Sequence, residues 1–204
     1  LVTDIEKYTA LSEKMNPEDL SVLMNKYFEV IFEPVRQNSG TVSDVKGDSI
    51  LAIWATARPD ATYRNFACNT ALDIMRAVKQ FNRSFDPLQL PTRIGMHSGY
   101  ISLGSIGAID HYEYRPIGDI VNTASRMEGL NKFLGTQVLV SMEVLHQLDG
   151  FLARPLGRFI LAGKSEPIEA YELLCRIEES DQKQKDLCGA FAHALNAFQN
   201  GFWN

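Results

Sequence analysis

Two acidic residues lie at the ends of predicted strands, where the apolar residues stop. Asp4 lies near the end of the segment LVTDI, and Asp48 follows Gly47 in the turn before the apolar run SILAIW. Further along the chain, Asn122 and Arg126 are four residues apart in a predicted helix and so share one helical face. Two carboxylates at strand ends can hold a pair of divalent cations on a triphosphate. Together these residues predict a two-metal phosphoryl-transfer site.

The apolar periodicity predicts the elements that position these residues. Asn16 and Pro17 are a typical helix opening, and apolar residues recur at three and four positions from there to residue 35. Strands are predicted at 1–5, 41–46, 49–54, 92–99, 100–106, 113–117, 138–140, 159–161 and 168–174, and further helices at 60–85, 118–134 and 141–148. Strands joined by hairpins, with helices crossing one face, indicate an α+β fold with a largely antiparallel sheet.

The length and composition predict a single globular domain with an appendage. With 204 residues and 45% hydrophobic residues, the chain can bury a full core. We expect the domain at 1–177, followed at 178–204 by a charged linker and an amphipathic helix. Phe191, Leu195, Phe198 and Trp203 form an apolar stripe on that helix, which either binds a partner or packs back on the domain's own sheet.

Charge and cysteine usage narrow the class of protein. A formal net charge of -5 and a pI near 5.4 argue against a general nucleic-acid binder, which presents a basic surface to phosphates. The three cysteines are widely spaced, which favours a reducing compartment. No apolar run approaches the roughly 20 residues that cross a bilayer. We expect a cytoplasmic domain, which a longer parent protein could tether to a membrane through segments outside this sequence.

Five stretches of the chain resemble the catalytic domain of the class III nucleotidyl cyclases, the adenylyl and guanylyl cyclase family. They are TDIEKYT (3–9), GDSILA (47–52), RIGMHSG (93–99), GSIG (104–107) and IGDIVNTASRME (117–128). The resemblance covers about residues 1–175 and keeps the family's order. It implies the ferredoxin-like class III cyclase fold, with helices packed on a largely antiparallel sheet.

The resemblance also implies a role for each residue of the predicted site. Asp4 and Asp48, with the backbone carbonyl of Ile5, would bind two Mg²⁺ or Mn²⁺ ions per active site. Asn122 would orient the ribose, and Arg126 would stabilise the transition state at the α-phosphate. The segment 5–9 would also offer backbone N–H groups to the phosphates.

Two lysines are candidates for phosphate binding. Lys164, in the segment AGKS, fits the lysine with which the family binds the terminal phosphates. Lys46 is predicted on the same strand face as Asp44 and could contact phosphate as well. In the family, the metal aspartates and the Asn/Arg helix of one site come from two different domains. Because this chain carries both halves, the resemblance implies a head-to-tail homodimer with shared sites and an inactive monomer.

The purine-reading pair departs from the family pattern. Adenylyl cyclases typically have Lys and Asp or Thr at the positions of Asp44 and Arg115, whereas guanylyl cyclases have Glu and Cys. Asp44 facing N1, with Arg115 at O6, would suit guanine; Arg115 facing N1, with Asp44 at N6, would suit adenine. The two side chains could also neutralise each other. Lys46 could replace the missing lysine only if the strand shifted in register.

The predicted activity is conversion of ATP to 3′,5′-cyclic AMP and pyrophosphate, as the signalling output of a larger sensor protein. ATP is preferred because cAMP formation is common among single-domain cyclases of this kind, so guanylyl cyclase activity stays an alternative. A catalytically silent nucleotide-binding module is a second alternative, which the unusual purine pair favours and the intact metal residues oppose. A diguanylate-cyclase-like domain would need a Gly-Gly-Asp/Glu-Glu-Phe hairpin, which KGDS lacks.

Overall fold

The structure is a computed structural model of the chain. It describes residues 1–58, 60–85, 88–108 and 111–201, with the backbone alone at 111–114. The strands, in chain order, are β1 (Val2–Ile5), β2 (Thr41–Lys46), β3 (Ser49–Ile53), β4 (Thr92–Met96), β5 (Ser102–Ala108), β6 (His111–Ile117), β7 (Val138–Ser141), β8 (Phe151–Phe159) and β9 (Ile168–Arg176). The helices are α1 (Tyr8–Ser12), α2 (Pro17–Gln37), α3 (Ala61–Ser84), α4 (Asp119–Leu134), α5 (Met142–Leu145) and α6 (Gln182–Gln199).

Within the described residues, the main sheet has seven strands in the order β2-β3-β1-β4-β7-β9-β8. Its neighbours are antiparallel except for β4 and β7, which run parallel. The hairpin of β5 and β6 forms a separate two-stranded sheet, which we call the arm. This arrangement confirms the predicted α+β fold with a largely antiparallel sheet.

The helices cover both faces of the main sheet, whereas the sequence pattern indicated one. Alternate residues of a strand point to opposite faces. Val138 and Val140 belong to the large core that α2 and α3 cover, while Leu139 packs in a second cluster with Met127 of α4. The difference arises because α4 crosses the sheet on the opposite side, which a helix's own periodicity cannot reveal. Asp4 lies on this α4 side, since its neighbour Ile5 faces the large core.

Local chemistry accounts for the predicted helix starts. The Asn16 side chain accepts a hydrogen bond from the Glu18 N–H at 2.9 Å and caps α2. Asp60 caps α3 in the same way by accepting from the Thr62 N–H at 2.8 Å. Each cap satisfies a backbone donor that has no partner inside the helix.

The C-terminal elements differ from the sequence expectation. Strand β8 starts at Phe151 instead of residue 159, because Pro155 and Gly157 sit at register shifts that hide its alternation. Helix α6 begins at Gln182, inside the predicted linker, because Asp181 and Gln184 form a reciprocal capping box.

Helix α6 packs against β8. The Arg154 guanidinium lies 4.9 Å from the ring centroid of Phe191, and its Nη2 donates a hydrogen bond to Oε2 of Glu172 at 2.5 Å. Of the predicted apolar stripe, Trp203 lies outside the described residues. Within the described part of the chain, every helix is too short or too polar to span a bilayer.

Candidate active site

Asp4 and Asp48 meet at one end of the main sheet. Asp4 lies in β1, and Asp48 lies in the turn between β2 and β3, where Gly47 takes a positive φ of 61°. Because β3 pairs with β1, the turn reaches the end of β1. The Ile5 N–H donates a hydrogen bond to Oδ2 of Asp48 at 3.0 Å. The fold therefore brings together two acidic residues that are far apart in the sequence.

The two carboxylates repel each other. Burial raises the pKa of Asp48, and the charge of Asp4 raises it further, while the Ile5 N–H acts in the opposite direction. Such a pair favours a bound cation, and carboxylate oxygens are the ligands that Mg²⁺ prefers. Among the described residues no group of three or more His, Cys, Asp or Glu side chains forms a metal cage. Mg²⁺ commonly binds through one or two carboxylates plus substrate phosphates, so this donor set fits it.

Arg93 and Glu128 complete this end of the site, although the sequence motifs that contain them predicted no role for either residue. Arg93 stands opposite Asp4 in the β1–β4 ladder, and its Nη2 donates to Oδ2 of Asp4 at 3.2 Å. Its Nε lies 3.2 Å from Oε1 of Glu128 on α4. Burial raises the pKa of Glu128 to about 7, with a further contribution from the charge of Asp4.

Asn122 and Arg126 lie on α4, one turn apart. Asn122 is exposed, and Arg126 is half-buried with an Nη1 group that has no hydrogen-bond partner among the described residues. The Arg126 guanidinium is too enclosed to be an ordinary surface charge. An unpartnered buried donor of this kind is costly in the free protein and is suited to an anionic ligand.

Lys164 reaches α4 from the loop between β8 and β9. Its ammonium forms an ion pair with Asp119, in the first turn of α4. Gly163 lies against the guanidinium of Arg126, because a Cβ placed at this glycine would stand 3.4 Å from Nη2. The structure thus gathers Lys164 and Arg126 beside the same helix.

Asp44, Lys46 and Arg115 form one ion-pair cluster. Oδ2 of Asp44 lies 3.4 Å from Nη2 of Arg115 and 3.6 Å from Nζ of Lys46. The Lys46 contact agrees with the predicted shared strand face. The pair of Asp44 and Arg115 corresponds to the predicted alternative in which the two side chains neutralise each other. It also joins the arm to the main sheet, since Arg115 lies in β6.

The expected N–H donors of the segment 5–9 are partly engaged within the chain. The Ile5 N–H binds Asp48, and the Glu6 N–H donates to the Pro91 carbonyl at 2.7 Å. Helix α1 starts only at Tyr8, after Lys7 takes a positive φ of 63°. Ile5 and Glu6 therefore contribute no free donor to a phosphate.

Comparison with known proteins decides the family. Residues 1–174 match the family model described as the adenylate and guanylate cyclase catalytic domain. This chain belongs to that family. The resemblance inferred from the five motifs is confirmed.

The relatives of this cyclase domain include enzymes named adenylate cyclases. Adenylate cyclase 1 of Rhizobium meliloti is 36% identical over 178 residues, which are 85% of this chain and 27% of the relative. The adenylate cyclase of Anabaena cylindrica is 29% identical over 184 residues, covering 85% of this chain and 36% of the relative. The cyclase domain thus spans only about a quarter to a third of the length of these relatives.

Solved structures support the cyclase fold. A bacterial light-regulated adenylyl cyclase matches with a TM-score of 0.75 at 24% identity, over 92% of this chain and 95% of that one. The guanylate cyclase domain of RhGC from Catenaria anguillulae, in complex with GTP, matches with a TM-score of 0.73 at 24% identity, over 86% and 94%. At this identity the likeness shows the fold alone, and it is the fold predicted from the sequence.

The predicted residues of this cyclase domain fall into two groups. Asp4 and the turn residue Asp48 lie together near the end of β1, whereas Asn122 and Arg126 lie on α4 and Lys164 pairs with its first turn. Among the described residues no hydrogen bond or ion pair joins one group to the other.

Proposed function

We propose that this cyclase domain converts ATP to 3′,5′-cyclic AMP and pyrophosphate. The observation that carries the proposal is the convergence of Asp4 and Asp48 beside the Ile5 N–H, in a family whose members cyclise nucleotides. The relatives named adenylate cyclases support ATP as the substrate. We further propose that the domain works in the cytoplasm, where ATP is supplied, as the output of a longer sensor protein.

Asp4, Asp48 and the Ile5 carbonyl would hold two Mg²⁺ or Mn²⁺ ions. When bound, such ions supply positive charge that lowers the pKa of the ribose 3′-hydroxyl and neutralises the triphosphate. Asp48 is preset for this task, because the Ile5 N–H fixes one of its oxygens.

The residues around α4 would act on the substrate. Asn122 would hydrogen-bond the ribose, and Arg126 would donate to the α-phosphate as its charge develops. Loss of one preorganised donor of this type costs about 3 to 4 kcal/mol in the barrier. Lys164, and Lys46 with it, would bind the phosphates. Lys164 must first leave Asp119, so substrate phosphate competes with that carboxylate.

We propose a head-to-tail homodimer in which each site combines the carboxylates of one chain with α4 of the other. The lack of a hydrogen bond or ion pair between the two groups, among the residues that the structure describes, supports this arrangement. The arm supports it too, since it exposes Leu103, Ile106 and Ile117 at 39%, 49% and 44%. Exposed apolar side chains on a projecting hairpin are typical of a surface that a second subunit covers.

Guanylyl cyclase activity is the second candidate, and the cluster at Asp44 favours it. A carboxylate suits the N1 and N2 donors of guanine, whereas adenine has an acceptor at N1. In the structure Arg115 and Lys46 occupy this carboxylate. The same ion-pair cluster is also compatible with a nucleotide-binding module that has no catalytic activity.

Product analysis with ATP and GTP, each with Mn²⁺, tests the proposal. We expect cAMP from the wild-type chain, none from Asp48→Asn, and unchanged yield from Asp149→Asn, which removes an exposed carboxylate. The double exchange Asp44→Lys with Arg115→Asp should shift the ATP/GTP preference by about tenfold or more, because correct base contacts are worth about 1–3 kcal/mol.

The outcomes separate the candidates. No cyclic product from either nucleotide at high protein concentration would favour the silent module and contradict the proposal. Mainly cGMP would favour the guanylyl cyclase. An unchanged preference in the double exchange would remove Asp44 and Arg115 from the purine site.

A further inference from the structure

Glu128 is a buried carboxylate that touches neither of the aspartates. It is 9% exposed, on the side of α4 that faces β4. The contact that its side chain makes is the ion pair with Nε of Arg93. Neither Nε nor Oε1 of this pair has a hydrogen-bond partner among the described residues, so the contact depends on charge.

Arg93 divides one edge of its guanidinium between two carboxylates. Nε and Nη2 form the edge that normally binds one carboxylate through two parallel hydrogen bonds. Here Nη2 binds Asp4 at 3.2 Å, while Nε faces Glu128 at 3.2 Å. Asp4 therefore receives a single hydrogen bond from Arg93. Without Glu128, the whole edge would be available to Asp4.

The backbone fixes Glu128 in this place. Gly95 lies two residues after Arg93, on the same face of β4, and a Cβ there would stand 2.1 Å from the Glu128 nitrogen. Helix α4 thus rests directly on the strand. This close approach holds Glu128 beside Arg93, and the strand register places Arg93 opposite Asp4.

The charges support the same role. When Asp4, Asp48, Glu128 and Arg93 are all ionised, which for Glu128 requires a pH above about 7, the group carries two net negative charges, enough to balance one divalent cation. Replacing Glu128 by a neutral residue would halve that charge. It would also release Arg93 to compete with a cation for Asp4.

We propose that Glu128 is a positioning residue for the two carboxylates: it holds Arg93 away from full engagement with Asp4 and so keeps Asp4 open to a divalent cation. The inference rests on the proposed metal role of Asp4 and Asp48. Partners behind metal ligands commonly change metal affinity by about 10- to 100-fold.

Mn²⁺ binding to the full chain without nucleotide tests this role. The free Mn²⁺ signal in electron paramagnetic resonance gives the affinity independently of catalysis. We expect Glu128→Gln to weaken binding by about tenfold or more. Glu128→Asp should weaken it similarly, because the shorter side chain keeps the charge but withdraws from Nε. Adding Arg93→Gln to Glu128→Gln should restore affinity, because the competitor is gone. Glu29→Gln, an exposed site on α2, is the control for charge.

Four results would overturn the inference. Equal affinities of wild type and Glu128→Gln would contradict it and leave the proposed function intact. Full affinity in Glu128→Asp would show that net charge alone matters. Absence of recovery in the double variant would show that Glu128 only supports packing. A wild-type chain that binds no Mn²⁺ would overturn the metal proposal itself, and this inference with it.

Discussion

Glu128 shows how burial changes a single side chain. Its pKa of about 7 arises first from burial and then from the charge of Asp4, with Asp48 adding to it and Arg93 opposing it. The folded chain therefore binds a proton at Glu128 more tightly than the unfolded chain does. The folded state therefore binds more protons than the unfolded state between pH 4.5, the ordinary pKa of this carboxyl, and about pH 7.

The stability of the metal-free chain should fall over that pH range because of Glu128. Unfolding becomes more favourable with rising pH wherever the folded state binds more protons. Relative to Glu128→Gln, the wild type should lose stability between pH 4.5 and about 7 and then stay level. Urea unfolding with EDTA at a series of pH values measures this difference. A constant difference across the range would contradict the raised pKa.

At the same scale, sequence reasoning identified the residues that carry recognisable motifs. Asp4, Asp48, Asn122 and Arg126 stand in short segments whose residue types suggest their chemistry. Arg93 and Glu128 also stand in such segments, but their residue types reveal no role, because their importance comes from a strand register and from a helix resting on that strand. Arg93 was part of the motif RIGMHSG, yet nothing in that motif names its partners.

The close contact between α4 and β4 positions the candidate site residues of the helix. Gly95 permits it, since a Cβ there would also stand 2.2 Å from the Ala124 carbonyl oxygen. Backbone atoms on both sides leave no flexible group to move aside. Any side chain at residue 95 must therefore push the helix away from the strand.

Gly95→Ala should destabilise the chain by about 3 kcal/mol or more, at the upper end of overpacking costs. Gly129→Ala is the matched control on α4, because nothing lies within 4 Å of its added Cβ. That control should gain about 0.5–1 kcal/mol from helix propensity. Chemical denaturation of both variants measures the difference. A Gly95→Ala chain as stable as wild type would mean that α4 does not rest on β4 as described.

Elements with strong periodicity could be predicted from the sequence, and irregular ones could not. Helices α2 and α3 have caps and a repeating apolar stripe that the sequence displays. Strand β8 has a proline and two register shifts, so its alternation breaks. The early start of α6 depends on a capping box within a charged segment, where the polar composition suggested a linker.

At the scale of the whole molecule, the proposed homodimer divides the residues of each candidate site between two chains. Among the described residues, no hydrogen bond or ion pair joins Asp4 or Asp48 to Asn122, Arg126 or Lys164. The proposed homodimer would supply the missing half of each site from the other subunit. Two inactive variants with defects in different halves should therefore rescue each other.

Asp48→Asn and Arg126→Ala should each abolish cyclase activity. An equal mixture, allowed to exchange subunits, should recover roughly a quarter of wild-type activity, because half of the dimers are mixed and each has one intact site. Mixing Asp48→Asn with Asp4→Asn should recover nothing, since both defects lie in the same half. Rates of product formation measure this. Failure of the first mixture, with both variants folded and dimeric, would contradict the shared site.

Strand β8 is an edge strand of the main sheet, and its features limit how this protein can aggregate. An exposed edge strand presents unpaired backbone N–H and C=O groups, with which a strand of another chain can pair. Pro155 has no N–H to offer, the register shifts bend the strand, and α6 packs against it. These features should hinder the pairing of a foreign strand with β8. Deleting α6 would remove its packing against β8 and should therefore reduce the solubility of the chain.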